Sequence, residues 1–205
     1  MFLTFEGGEG AGKSTQAALL AAALERQGRR VLVTREPGGT PFAEAVRAAV
    51  LDPRHGDLGA MTQALAHWAA RLDHWENTIA PALAKGTWVL CDRFADSTLA
   101  YQGYGLGVDR EHLAALHRLA LGTVRPDLTL ILDLPVEEGL ARARQRGRTD
   151  RYEAMDHGFH ERLRAGFLAI ARAEPDRCVV LDGAAAPERV HAKVMAAVTA
   201  HAGRA

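Results

Sequence analysis

The stretch Gly7-Gly8-Glu9-Gly10-Ala11-Gly12-Lys13-Ser14-Thr15 decides the fold. It follows a short apolar run, Phe2–Phe5, and opens an Ala/Leu-rich stretch with helical spacing over 13–27. That is the context in which G-x-x-x-x-G-K-[ST] acts as a phosphate cradle. The glycines let backbone N–H groups turn inward around phosphate oxygens, and the following helix adds its positive end. In such a loop Lys13 reaches the β- and γ-phosphates and the Ser14 hydroxyl ligates Mg²⁺. Gly7 through Thr15 therefore read as a nucleoside-triphosphate site.

Working outward, four more strand-length apolar runs follow: Val31–Thr34, Thr87–Cys91, Leu128–Leu132 and Cys178–Leu181. Helical spacing is expected over 41–51, 59–84, 109–121, 136–146, 153–172 and 187–201, several of these opened by Asp or Pro. Alternating strands and helices, with the strands continuously apolar, predict an α/β fold: a five-stranded parallel sheet flanked by helices. No repeat or low-complexity linker divides the chain, so residues 1–205 are expected to form one domain. Charged residues close each apolar run: Glu6, Arg35-Glu36, Asp92-Arg93, Asp133 and Asp182. Ligands of open parallel sheets bind beyond the carboxyl ends of the strands, so these five points are expected to converge on one crevice.

Composition narrows the classes. The 205 residues carry 25 Lys and Arg against 25 Asp and Glu, a net charge of zero. Lys13, Lys85 and Lys193 are the only lysines, leaving 22 arginines. A zero sum argues against a nucleic-acid partner held by bulk charge. Two cysteines, Cys91 and Cys178, are too few for a disulfide framework and fit a reducing cytoplasm. The start has no basic region before an apolar one, and the stretch Ala17 to Leu24 falls short of the roughly 20 residues a bilayer demands, so no membrane partner is expected.

A phosphate loop leaves three uses open: a guanine-specific switch, a motor and a small-molecule kinase. A switch would read its base with Asn-Lys-x-Asp, yet the only asparagine, Asn77, precedes Thr78. A motor needs a larger core or partner-binding domains. A compact kinase with a second pocket is left ahead.

Further motifs point the same way: Thr-Arg-Glu-Pro-Gly-Gly-Thr at 34–40, Ala-Ala-Arg at 69–71, Asp-Arg-Phe at 92–94, Ser-Thr-Leu-Ala-Tyr-Gln-Gly at 97–103, Arg-Pro-Asp-Leu-Thr at 125–129 and Asp-Arg-Tyr-Glu at 150–153. With the phosphate loop, they make residues 1 to about 155 resemble the thymidylate kinases of the bacterial type. Residues 155–205 match only in helical character. The resemblance implies the P-loop nucleoside monophosphate kinase fold with a basic lid. It also implies Mg²⁺-dependent transfer of the ATP γ-phosphoryl group to dTMP, and a homodimer formed through sheet-covering helices. Another nucleoside or deoxynucleoside monophosphate kinase is the nearest alternative, and a nucleotide-dependent switch the more distant one. An ionised phosphate acceptor needs no general base, so catalysis would rest on Lys13, the metal and arginine forks matched to phosphate oxygens.

The resemblance also implies roles. Arg93 would grip the acceptor phosphate, with Arg35 and Arg47 bordering it and the sugar, and Glu36 and Ser97 in the same acceptor set. Asp92 would join Ser14 in holding the metal, through water. Glu9 would reach toward the sugar or the metal. Arg71, Thr98 and Gln102 would read the base, and Tyr101 would stand where a ribose 2′-hydroxyl would be. His67 departs from the family, which usually carries a stacking Phe there. A histidine stacks less apolarly, with a charge that depends on pH near neutrality, and either His67 stacks more weakly or Trp68 compensates. The spacing of His67 and His74 is only a weak metal signal.

The arginines Arg142, Arg144, Arg146, Arg148 and Arg151 are opposed within their run only by Asp150. The run resembles the lid of these kinases, about 142–153, which closes over the donor phosphates and excludes water. Within it Arg151 is expected to act in the transfer itself, and Arg142 or Arg148 to contact the donor phosphates or adenine.

Overall fold

The structure is a computed structural model that describes residues 1–145, 147 and 150–203. Five parallel strands form one sheet: β1 (Phe2–Glu6), β2 (Val31–Arg35), β3 (Trp88–Asp92), β4 (Leu128–Asp133) and β5 (Cys178–Asp182). Their spatial order is β2-β3-β1-β4-β5. β1 is buried along its whole length and β4 up to its last residue. The edge strands β2 and β5 expose Val33 and Val180. The continuous apolar reading thus holds at the centre of the sheet and relaxes at its edges.

Helices α1 (Lys13–Arg26) and α9 (Pro187–Ala202) cover one face, packing Leu20, Leu24, Val190 and Val194 against Leu3, Phe5, Leu130 and Leu132. α8 (His157–Ala173) covers the β4–β5 half of the other face with Phe159, Leu163, Phe167 and Ile170, beside α2 (Pro41–Leu51). A third cluster sets Trp68, Ile79 and Phe94 against Val89. α6 (Arg110–Leu121) and α7 (Val136–Arg144) complete the layers.

The helix starts follow local chemistry. Thr40 accepts from Ala43 N ahead of Pro41, Asp109 from Glu111 N, and Asp156 from Phe159 N at 2.6 Å, side-chain caps that satisfy otherwise unpaired N–H groups. Asp156 is why α8 starts at His157, later than the expected 153. The expected helix 59–84 is three pieces: α3 (Ala60–His74), a π turn (Trp75–Ile79) and α4 (Ala80–Ala84). A stretch outside the expected helices, 95–105, is also helical, as α5 (Ala95–Thr98) running into a π segment (Leu99–Gly105). Its Ser, Thr, Tyr and Gly content disfavours helix, and tertiary burial overrides that, since Ala100, Tyr101, Gln102 and Gly103 are all buried.

Candidate active site

Only two of the five charged strand ends, those after β2 and β3, line the cleft, and β1 contributes through its phosphate loop while Glu6 stays buried. A cavity of about 680 Å³ is lined by residues 9–15 of the phosphate loop, by Arg35, Glu36, Arg47 and His67, and by Arg71, Asp92, Arg93, Ser97, Thr98, Tyr101 and Gln102. Asp133 is instead held by Arg164 at 2.7 and 2.9 Å, and Asp182 accepts from Ala184 N. β4 and β5 lie on the far side of β1 in the sheet order, so their ends serve the phosphate loop's outer flank, not the acceptor side.

The loop's shape is fixed by close backbone approaches. Gly10 has φ +67°, and a Cβ there would lie 2.1 Å from Gly139 O. A Cβ on Gly139 would in turn sit 2.4 Å from Glu9 O. The loop and α7 interlock where neither can carry a side chain. Lys13 Nζ donates to Gly8 O at 2.7 Å and Gly7 O at 3.2 Å. Burial, with Arg93 nearby, lowers the Lys13 ammonium to about 8, so the site favours an incoming polyanion to restore its charge. Ser14 Oγ donates to Asp92 Oδ2 at 2.5 Å. Together they present hydroxyl and carboxylate oxygens, the hard donors Mg²⁺ takes.

Arg93 is the one non-glycine among the described residues with a left-handed backbone, φ 72°. The turn that holds it there is anchored behind by Glu6, which is fully buried and accepts from Phe94 N at 2.7 Å and Ser97 Oγ at 2.6 Å. Burial, reinforced by Asp96, pushes the Glu6 carboxyl up to about 8. Glu6 was legible as a charged strand end, but its place as the anchor of the Arg93 turn was not. Arg93 donates to Gly7 O at 3.1 Å and Glu9 at 3.1 Å, with its guanidinium 4.9 Å from the Tyr101 ring centre. The Tyr101 hydroxyl donates to Glu9. Glu9, Arg93 and Tyr101 thus form one unit between the loop and the acceptor side.

Arg71 is 3% exposed and spans the cleft floor, donating to Glu36 Oε2 at 2.7 Å, Thr98 Oγ1 at 3.0 Å and Phe94 O at 2.9 Å. Arg35 pairs with Glu44, and Arg47 donates to Pro37 O. His67 lines the cleft with Nε2 2.9 Å from the Tyr152 hydroxyl. Burial and then Arg71 pull its imidazole down to about 3, so its charge does not vary near neutrality, against the expectation from its ordinary value. Trp68 gives no compensation in the cleft: its ring packs edge-on against His117 and under Arg71. His67 and His74 do not pair, because His74 lies between Glu36 and Thr34.

The structure does not bring every expected lid arginine to the cleft. Arg151 donates to Val50 O, Asp52 O and Gly56 O at 2.9, 3.0 and 2.6 Å, tying down the end of α2. Arg142 donates to Gly183 O and Glu138. Arg148 lies outside the described residues. Asp150, Tyr152 and Glu153 do line the cleft. Of these Tyr152 stands in the Asp-Arg-Tyr-Glu motif, which gave it no role of its own, and Gln63 behind it carried no sequence signal as a site residue.

A parallel sheet with a lysine-bearing phosphate loop at the end of β1, facing an arginine-lined second pocket across one cleft, defines a P-loop kinase of the nucleoside monophosphate type. The comparisons narrow the class. The thymidylate kinase family model matches residues 5–194. A thymidylate kinase of Bradyrhizobium sp. (strain BTAi1) is 54% identical over 200 residues, covering 96% of this chain and 88% of the relative. One from Caulobacter vibrioides is 54% identical over 193 residues, covering 94% and 93%. The crystal structure of thymidylate kinase from Ehrlichia chaffeensis superposes with a TM-score of 0.80 at 36% identity, covering 97% of this chain and 98% of that one. The chain belongs to the thymidylate kinase family, whose known reaction is the phosphorylation of dTMP to dTDP.

Proposed function

We propose that this chain transfers the γ-phosphoryl group of ATP to dTMP, with ATP phosphates in the Gly7–Thr15 loop and the acceptor phosphate on Arg93. The observation that carries this reading is the shared cleft: Lys13, Arg93 and Asp92 line one cavity with Arg71, Thr98 and Gln102. Lys13 and Arg93 both donate to Gly7 O, so their charges meet in one part of the cleft, and both can spread the equatorial charge of the transferring group. Ser14 and Asp92 would hold Mg²⁺, which when bound neutralises donor-phosphate charge. Glu36 braces Arg71 from behind, and Arg35, Arg47 and Ser97 border the acceptor. Tyr101, fixed by Glu9, stands as the barrier to a ribose hydroxyl. No side chain has to act as a base on an acceptor already ionised at neutral pH.

Two wider proposals go with this. Among the described residues no helix is long and apolar enough to cross a membrane, which is compatible with action in the cytoplasm. Phe42 on α2, Met61 and Leu65 on α3, and Leu119 on α6 are exposed apolar side chains, available for a homodimer through these sheet-covering helices.

The test is ADP release from ATP and Mg²⁺ with dTMP, dUMP, UMP, dCMP and dGMP supplied in turn. Stimulation strongest with dTMP and weak with UMP is expected. Stimulation by none would overturn the kinase reading, and equal use of UMP would remove Tyr101 as the sugar barrier.

A further inference from the structure

Four side chains at the inner end of the cleft share their protons in an order that one anchor sets. Gln63 on α3 is 5% exposed and donates from Nε2 to Leu58 O at 2.6 Å. That bond fixes its amide, so Oε1 is the atom facing Tyr152 and Gln102. Oε1 lies 2.9 Å from the Tyr152 hydroxyl and 3.4 Å from Gln102 Nε2. Gln102 Nε2 is also 2.9 Å from the same hydroxyl, as is His67 Nε2.

A tyrosine hydroxyl has one proton to give and two lone pairs to offer. Gln63 Oε1 can only accept, so the proton goes there, and Gln102 and His67 must both donate to the oxygen. Both amide protons of Gln102 are then spent on this group, on Oη and on Gln63. Its carbonyl oxygen is what remains for the cleft that Gln102 lines. The neutral His67 ring carries its proton on Nε2, leaving the lone pair on Nδ1. The reverse orientation of Gln102 would set two carbonyl oxygens 3.4 Å apart and leave a buried acceptor without a donor, an arrangement that costs more than a hydrogen bond gains.

We propose that Gln63 is a positioning residue for acceptor-base selection. Acting through Tyr152, it orders the Gln102 amide and the His67 tautomer so that these two side chains offer the base hydrogen-bond acceptors, beside the donor guanidinium of Arg71. Such a wall fits a pyrimidine ring with an imide N–H and opposes cytosine, whose corresponding nitrogen is itself a lone pair. A Phe at position 67 would leave one lone pair of Tyr152 unused, so the histidine completes the group in this chain. The inference deepens the proposed function and rests on a pyrimidine nucleotide being the acceptor.

Two measurements test it. Long-range ¹H–¹⁵N correlation on the intact enzyme at pH 7 is expected to show His67 as the neutral tautomer protonated on Nε2. A proton on Nδ1, or an imidazolium, would overturn the ordering whatever the substrate proves to be. Titration calorimetry with dTMP and dCMP then reads selection. Gln63→Met is expected to lower the affinity ratio of dTMP to dCMP at least ~10-fold, the scale of one mismatched buried hydrogen bond. Tyr152→Phe is expected to do the same and serves if Gln63→Met fails to fold. An unchanged ratio in the folded variants would overturn the proposal, because mere structural damage weakens both ligands alike. A wild type that binds neither nucleotide would sink the kinase reading while leaving the tautomer result standing.

Discussion

Replacing Arg151 by Ala separates two roles that the residue cannot hold in one position. Its guanidinium spans three backbone carbonyls, Val50 O, Asp52 O and Gly56 O, at the end of α2 where helical carbonyls lack internal partners. Its own N–H lies 3.4 Å from Leu51 O, so the segment after the basic run is moored here. Each carbonyl bond from a cation at a half-buried site is worth about 1 kcal/mol, or ~3 kcal/mol in all. For a domain of this size 1 kcal/mol moves Tm by roughly 2–4 °C. Arg151→Ala is therefore expected to lower Tm by about 6–12 °C in differential scanning calorimetry. In a coupled ADP-release assay well below the new Tm, kcat should fall less than about tenfold. An arginine acting on the transferring group gives the opposite signature, a loss on the order of 10³ in kcat. Such a loss with Tm unchanged would refute the mooring role and return Arg151 to the chemistry.

Three other outcomes follow from the geometry. Lys13, lowered to about 8 by burial, is about half charged at pH 8 and regains its proton beside phosphate. ATP binding at that pH should take up about half a proton in calorimetry across buffers of different ionisation enthalpy, and no uptake would contradict the assignment. Glu6, raised to about 8 from 4.5, ionises in the unfolded chain before the folded one. Its stabilising contribution is full below about 4.5 and is lost as pH rises through 8, so Glu6→Gln should flatten the decline of Tm between pH 5 and 9. Gly139→Ala sets a methyl 2.4 Å from Glu9 O, which should raise KM for ATP about tenfold, since overpacking costs ~1–3 kcal/mol. An unaltered KM would show that the loop can yield there.

The parts of the fold legible in the sequence were those written in local chemistry. The phosphate loop needs glycines at fixed offsets, and the strands are continuous apolar runs, so β1, the loop and α1 were placed within a residue or two. The charges after β2 and β3 meet at the cleft as expected, but those after β4 and β5 do not. Sequence cannot say that β1 lies between β3 and β4. Residues 95–105 were missed because their propensity opposes the helix that burial imposes. The role of Tyr152, inside the 150–153 motif, and Gln63 altogether are illegible for a related reason. A lone polar residue gains meaning only when the fold sets it 2.9 Å from another, and no spacing encodes that approach. His67 was noticed as a departure, yet its neutral state depends on burial and on Arg71, neither of them visible in the residue itself.

The central claim is that one cleft passes a phosphoryl group from a triphosphate to a pyrimidine deoxynucleotide. It is tested most directly by incubating the protein with γ-labelled ATP, Mg²⁺ and dTMP and following the label. The account predicts label in dTDP in amounts equal to the ADP formed. Label released as inorganic phosphate, or ADP formation indifferent to dTMP, would contradict it.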